Sequence, residues 1–363
     1  MHLKKKIISI DLKEDIKYEL KNFLNKKNQY TIPIFIPHRG CKNECVFCNQ
    51  KKISGQIKNV TVEDVDNIIK ERLEKLDNVE KNIQIAFFGG SFTGIKISEQ
   101  KKYLEVAKKY IDMGKVESIR LSTRPDYINI KILKMLKTYG VKSIELGVQS
   151  MDNDILKLSK RGHTKEDVIR ASRLIRLFGF ELGHQIMVGL PGSSINTEIY
   201  TIKEVLKLRP VDLRIYPVYV IYPSELYDMY KQKNYIPLTI NQAIDRVCNI
   251  VKECQKTNIR IIRLGLQSTD EITKNNKEIV GPVCDNIAEY VQAKLILKVL
   301  DKKIEEKVLS HEILENTKNL ILLDIENKNA SIVIGPKKIN KLYLENKYKK
   351  YNIVLKVKGE MKT

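Results

Sequence analysis

The stretch IPIFIPHRGCKNECVFCNQ (Ile32–Gln50) joins an apolar run, Ile32-Pro33-Ile34-Phe35-Ile36, to three cysteines, Cys41, Cys45 and Cys48, in a C-x3-C-x2-C spacing. The run is rich in β-branched residues and reads as a strand, so the thiols sit just past its carboxyl end. Three thiols leave one ligand position to be filled. In a closed zinc site His38 would be the fourth ligand. In a [4Fe-4S] site the thiolates would hold three irons and leave the fourth open to a substrate or cofactor. The spacing alone does not choose between them.

Working outward from this loop, apolar runs alternate with amphipathic helical patterns. Strands are expected at residues 34–36, 83–88, 118–123, 143–148, 181–188, 213–220 and 259–264, with helices at 62–76, 98–111, 129–139, 165–178 and 197–208. A repeated β-α alternation implies parallel strands, and successive right-handed crossovers curl such a sheet. The expected fold is therefore α/β, a partial or full parallel (β/α) barrel with a small C-terminal α/β appendage. In such barrels chemistry sits on loops at the carboxyl ends of the strands. Four successive strand ends carry polar or glycine-rich signatures: Phe88-Gly89-Gly90-Ser91, Ser122-Thr123-Arg124-Pro125-Asp126, Glu145-Leu146-Gly147-Val148-Gln149-Ser150 and Val188-Gly189-Leu190-Pro191-Gly192. A structural zinc site would not require them.

The chain of 363 residues is 42% hydrophobic and 30% charged, enough for one large domain or two smaller ones. Cys248, Cys254 and Cys284 lie far from the first three cysteines. That pattern argues against a secreted disulfide framework and for a metal site in a reducing compartment. The opening Met1–Ile8 has the look of a signal n-region, but Asp11 and Lys13 end its apolar stretch too early for secretion or membrane spanning. The expected location is the cytoplasm, with no membrane contact. A net charge of +21 suits a polyanionic partner such as nucleic acid. Lysine is nevertheless spread through the whole chain, so solvated surface accounts for the charge equally well.

The cysteine spacing, the Gly-Gly pair, Ser-Thr-Arg-Pro-Asp, Glu-Leu-Gly-Val-Gln-Ser, Arg161-Gly162-His163-Thr164 and Gly-Leu-Pro-Gly together resemble a radical S-adenosylmethionine (SAM) enzyme. The resemblance is closest to the branch of the elongator catalytic subunit, with the coproporphyrinogen dehydrogenase branch next, and covers roughly residues 31 to 270. It implies a radical SAM type of barrel, an oxygen-sensitive [4Fe-4S] cluster on Cys41, Cys45 and Cys48, and SAM bound to the open iron. It further implies reductive cleavage of SAM to a 5′-deoxyadenosyl radical, an electron donor such as flavodoxin or ferredoxin, and tRNA or another RNA as substrate. Two departures stand out. The chain past the barrel is too short for the elongator subunit's acetyltransferase domain, and the cysteine spacing is more compact than is usual in that branch.

By position in the motifs, Phe47 would pack near the adenine, with core packing as the plain alternative. Gly89, Gly90 and Ser91 would meet the methionine amino group, and Ser122 and Gln149 the ribose or carboxylate. Arg161 would grip the SAM carboxylate, unless it is a surface residue of the Lys160-Arg161 pair. His184 reads as a core histidine, and His163 as a substrate contact or a helix cap. Tyr216, Tyr219 and Tyr222 could line a pocket but more simply pack at a sheet edge.

Domain boundaries are expected as an N-terminal extension over 1–30, the barrel over 31–222, its C-terminal extension over 223–302 and a basic appendage over 303–363. In the appendage, residues 330–335 read as a strand, 339–348 as a helix and 352–357 as a strand. Lys337, Lys338, Lys341, Lys347, Lys349 and Lys350 gather there. A strand, Gly335 turn, basic helix and strand resemble half of a KH-type RNA module, although Lys338 stands where its second glycine would be. A plain α/β cover is the alternative. Functionally, a radical SAM enzyme on RNA stands beside one on a small molecule or peptide, and beside a zinc-stapled RNA-binding protein.

Overall fold

The computed structural model describes residues 5–23, 29–36, 41, 45–49, 60–76, 82–266 and 276–358. His38 lies outside them. The chain divides into two compact units, one joining Met1–Asn22 to Asn286–Thr363 and the other spanning Phe23–Asp285. It begins with β1 (Lys5–Asp11) and α1 (Lys13–Glu19), which belong to the first of these.

The larger unit follows the alternation expected from the sequence. Its elements run β2 (Gln29–Phe35), α2 (Val62–Glu74), β3 (Asn82–Phe88), α3 (Ile97–Asp112), β4 (Ser118–Thr123), α4 (Ile130–Thr138) and β5 (Val141–Gln149). Then come α5 (Asn153–Leu158), α6 (Lys165–Leu177), β6 (Glu181–Val188), α7 (Ile195–Lys207) and β7 (Asp212–Pro217). The short β8 (Val220–Ile221), α8 (Glu225–Lys231), α9 (Ile240–Cys254), β9 (Arg260–Leu264) and β10 (Ile279–Val280) complete it. Seven strands lie in the order β2-β3-β4-β5-β6-β7-β9, every pair parallel, while β8 and β10 pair antiparallel. Helix starts are well specified: Thr61, Thr164, Ser194 and Thr239 each close a capping box with the residue three positions on.

The seven-stranded sheet is curled into a partial barrel. Arg120 on β4 places Nη2 2.6 Å from Asp212 Oδ2 on β7. Those strands are three steps apart, roughly 14 Å in a flat sheet, which is beyond the combined reach of the two side chains. Alternation along the strands explains how the curl is filled. On β4, β5 and β7, buried Ile119, Leu121, Ile144, Leu146, Val148, Leu213 and Ile215 alternate with Arg120, Ser122, Glu145, Gly147, Gln149, Asp212 and Arg214. One set packs against helices and the other faces the concave side, with the period of two that a strand imposes.

The smaller unit adds α10 (Ile287–Leu309), β11 (Lys318–Asp324), α11 (Ala330–Ile334), α12 (Ile339–Lys347) and β12 (Ile353–Val357). Its parallel sheet runs β1-β11-β12, so the two ends of the chain share one sheet rather than forming separate pieces. Ile8, Ile10, Ile296, Leu300, Ile321, Leu323, Val333, Leu344 and Leu355 make its core. The strand expected at residues 330–335 is the helix α11, ended by Gly335 at φ 81°. Burial of Val333 against this core outweighs the β preference of Ile332-Val333-Ile334. The half-KH likeness falls with that strand.

No helix among the described residues is long and apolar enough to cross a membrane.

Candidate active site

The cysteine loop lies at the carboxyl end of β2 and is tied down by its neighbours. Val46 N–H donates to Ser159 O (3.3 Å), Leu226 N–H to Val46 O (2.7 Å) and Asn49 Nδ2 to Pro223 O (2.9 Å). Val46 and Phe47 are buried with Leu190, Val218, Val220, Leu226 and Tyr235. Phe47 therefore anchors its loop in the buried cluster that also holds Leu190, just past the end of β6. None of the three cysteines is in a disulfide.

Two hydrogen bonds join the loop to other strand ends. Cys41 Sγ is 3.3 Å from Ser91 Oγ, just past β3. Cys45 Sγ receives Arg161 Nη1 at 3.2 Å, while Nη2 of the same guanidinium donates to Gly147 O on β5 at 2.7 Å. Arg161 is only 7% exposed, which removes it from the solvated surface. Gly147 leaves room for this approach: a Cβ there would lie 3.2 Å from Arg161 Nη2 and 3.0 Å from Gln149 Nε2, so both side-chain ends would have to shift. At Gly89, φ of 99° and a Cβ position 3.1 Å from Ile36 N both exclude a side chain.

The other expected residues stand nearby in differing roles. Gln149 is buried, holds a left-handed φ of 66° and accepts from Gln185 Nε2 at 3.5 Å. Such a backbone in a non-glycine residue is a strained geometry typical of functional loops. Ser122 Oγ reaches Phe87 O at 3.5 Å, and Gly90 is half-buried beside Ser91. Tyr216, Tyr219 and Tyr222 do not converge: Tyr219 is buried, and Tyr222 is exposed with its ring edge on Tyr227.

Burial holds both histidines neutral. His184 is enclosed with its Nε2 2.9 Å from Ser172 Oγ, and burial alone pushes its pKa down to about 3. His163 is pushed down to about 3 by burial, then by Arg161 and Arg124; its Nε2 meets Val148 O at 3.2 Å. The following helix is capped by Thr164, not His163. Because the folded pKa lies below the ordinary 6.5, the unfolded chain takes up the proton first as pH falls. Stability is therefore lost from pH 6.5 downward, at up to about 1.4 kcal/mol per pH unit for each histidine, until pH nears 3. Denaturant unfolding of His184→Gln between pH 7 and 5 should show a loss smaller than the parent's by about 2 kcal/mol. An unchanged loss would mean His184 titrates normally in the fold.

A charged network in the concavity was not foreseen from the sequence. Arg120 donates Nε to Gln84 Oε1 (2.9 Å), lies 3.4 Å from Glu145 Oε2 and pairs with Asp212. Arg214 Nε is 2.8 Å from Glu145 Oε1, its guanidinium lies over the Phe88 ring at 5.1 Å, and Arg260 Nη2 sits 2.5 Å from Asp212 Oδ1. The signal was present: charged residues at alternate positions in strands whose other positions are apolar mark a polar lumen.

Among the described residues, no group of three or more His, Cys, Asp or Glu side chains converges closely enough to hold a metal ion. The three thiols share one rim without being gathered on one point. Their chemistry nevertheless fits an iron–sulfur cluster. One loop supplies three thiols, Arg161 sets its guanidinium on Cys45 Sγ, and Arg124 nearby keeps Nη1 buried with no partner among the described residues.

The radical SAM superfamily model matches residues 35–205, and its C-terminal domain model matches residues 210–296. This chain belongs to the radical SAM superfamily. Membership in this enzyme superfamily implies SAM and a [4Fe-4S] cluster. A tRNA uridine(34) acetyltransferase of Methanocaldococcus infernus is 31% identical over 64% of this chain and 45% of its own length. An uncharacterized protein of Methanocaldococcus jannaschii is 28% identical over 70% of this chain and 80% of its own. The solved structure of Methanocaldococcus infernus Elp3 with an N-terminal deletion superposes with a TM-score of 0.58 at 27% identity, covering 77% of this chain and 64% of that one. The radical SAM chain described here spans less than half the length of the tRNA uridine(34) acetyltransferases it matches.

Proposed function

We propose that this radical SAM protein cleaves SAM reductively at a [4Fe-4S] cluster held by Cys41, Cys45 and Cys48, and that it acts on tRNA or another RNA. When bound, cluster and cofactor together supply a 5′-deoxyadenosyl radical, a hydrogen-abstracting species that no side chain provides. The protein's own residues bind and orient. The observation that carries the reading is the pair of bonds linking Cys41 to Ser91 and Cys45 to Arg161, which bring the thiol loop to the ends of β3 and β5. On this reading Gly89, Gly90 and Ser91 receive the methionine amino group, Ser122 and Gln149 the ribose or carboxylate, and Phe47 borders the adenine. Arg161 holds the carboxylate from its seat between Cys45 and Gly147. A small electron-transfer protein such as flavodoxin or ferredoxin delivers the electron.

The RNA reading rests on the relatives' names and on the net charge. The appendage lends less support than its sequence suggested. Lys347 pairs with Asp301 at 2.6 Å and Lys350 with Glu315 at 3.0 Å, so part of its charge is spent inside the unit. A small polar substrate is the second reading, favoured by the charged lumen with Arg214 half-buried beneath Phe88.

The test is SAM cleavage by anaerobically reconstituted protein with dithionite. Unfractionated tRNA should raise 5′-deoxyadenosine formation several-fold; stimulation by a low-molecular-weight extract but not by tRNA would transfer the assignment to the second reading. Arg161→Ala should weaken SAM binding by about 1.5–3 kcal/mol, the range for a hydrogen bond to a charged group, with iron content unchanged. Parental SAM affinity in the loaded variant would remove Arg161 from the cofactor.

A further inference from the structure

A cavity of about 320 Å³ opens beside the end of β6, lined by Gly189, Ser193, Lys233, Ile236, Leu238 and Arg246 among others, and none of its lining residues is acidic. It adjoins the candidate active site. Gly189 accepts from Tyr235 Oη at 2.6 Å, and Leu190 packs in the same cluster as Phe47. The two cations are held differently. Arg246 gives Nη1 to Glu198 Oε1 at 2.9 Å, an oxygen that also takes Gly189 N–H (2.8 Å) and Ser193 Oγ (3.2 Å). The carboxylate is thus shared among three donors, and burial raises its pKa. Only Nη1 of Arg246 is engaged among the described residues. Lys233 is exposed, forms no ion pair among the described residues, and takes a left-handed φ of 62° at the end of α8. Three residues on, Ile236 is 84% exposed at the cavity mouth, an apolar surface open to a ligand.

We propose that this cavity binds one nucleotide unit of an RNA strand, its phosphate between Lys233 and Arg246 and its sugar or base against Ile236 and Leu238. The proposal rests on the RNA reading above and gives it a location at the rim. Lys233, with no ion pair among the described residues, and the edge of Arg246 beyond its bond to Glu198 suit a phosphodiester. The volume is at the small end of ligand pockets and is enough for a single nucleotide. Exposure of Lys233, Asn234 and Ile236 at the mouth lets a strand enter and leave, which an enclosed metabolite pocket would not.

The experiment measures binding of fluorescently labelled unfractionated tRNA to the anaerobically reconstituted full chain across a salt series, alongside dithionite-driven SAM cleavage without RNA. Lys233→Gln should weaken binding roughly three- to tenfold and lower the log–log salt slope by about 0.7–0.9, one phosphate contact. Ile236→Ser should weaken binding without changing the slope. Lys131→Gln, an equal charge change on α4, is the control and should do neither. RNA-free SAM cleavage should match the parent in all three. Parental affinity and slope in Lys233→Gln, or effects no larger than those of Lys131→Gln, overturn the pocket while leaving the RNA reading standing. A parent protein that binds no tRNA at physiological salt sinks the RNA reading itself, and the pocket with it.

Discussion

Cys45→Ala should reduce 5′-deoxyadenosine formation to the background of cluster-free protein while leaving the fold nearly as stable as the parent. The two effects separate because Cys45 has two surroundings. Its Sγ accepts from Arg161 on the rim, and its side chain fills a small part of an apolar cluster whose other members are much larger. Truncation to alanine removes one sulfur from that cluster, a loss of about 1 kcal/mol, worth roughly 2–4 °C in a unit of this size. The partial barrel has its own core and does not depend on the thiol. Loss of one of three ligands, by contrast, removes the site where SAM would be reduced. Anaerobic activity and a thermal melt on the same preparation check both halves. Cleavage at the parental rate would show that Cys45 is no ligand; collapse of the melt would show that its role is in folding.

Asp212→Ala should destabilise the protein by about 3–5 kcal/mol, the cost of breaking a buried ion pair from one side. Asp212 lies 2.6 Å from Arg120 and 2.5 Å from Arg260, so its removal leaves two guanidinium groups facing each other across the lumen with Glu145 as the remaining anion. Low-dielectric surroundings make that arrangement far costlier than loss of a surface pair. Replacing Arg120 and Asp212 together by Met and Leu should recover part of the loss, since two apolar side chains need no partner. Urea unfolding compares the three proteins. A single variant within about 1 kcal/mol of the parent would mean that water reaches and solvates the lumen charges.

The parallel barrel was legible because its strands are apolar, bounded and separated by amphipathic helices. The expected bounds of β4 and β6 coincide with those observed. The thiol loop was legible too, since cysteine is too rare in this chain for three in eight residues to be incidental. Three things were not. Pairing of β1 with β11 joins residues about 310 positions apart, and no local pattern encodes such a partner. Three of the five residues of α11 are β-branched, and their preference yields to the burial of Val333. For Arg161, next to Lys160, the sequence left two readings open, a grip on the SAM carboxylate or half of a surface pair. The two part ways in the fold: Lys160 reaches Glu225 at the surface, while Arg161 turns in to Cys45 and Gly147. A helix end can send neighbouring side chains to opposite environments, and charge type alone does not reveal which.

The central claim is that the rim formed by the cysteine loop, Ser91 and Arg161 is the place where SAM meets an iron–sulfur cluster. Low-temperature electron paramagnetic resonance of the anaerobically reconstituted, dithionite-reduced protein, recorded with and without SAM, tests it most directly. The account predicts a reduced [4Fe-4S] signal whose g values shift on adding SAM, and no such signal in a variant lacking all three cysteines. A colourless protein carrying stoichiometric zinc, or a cluster signal that SAM leaves unchanged, would contradict it.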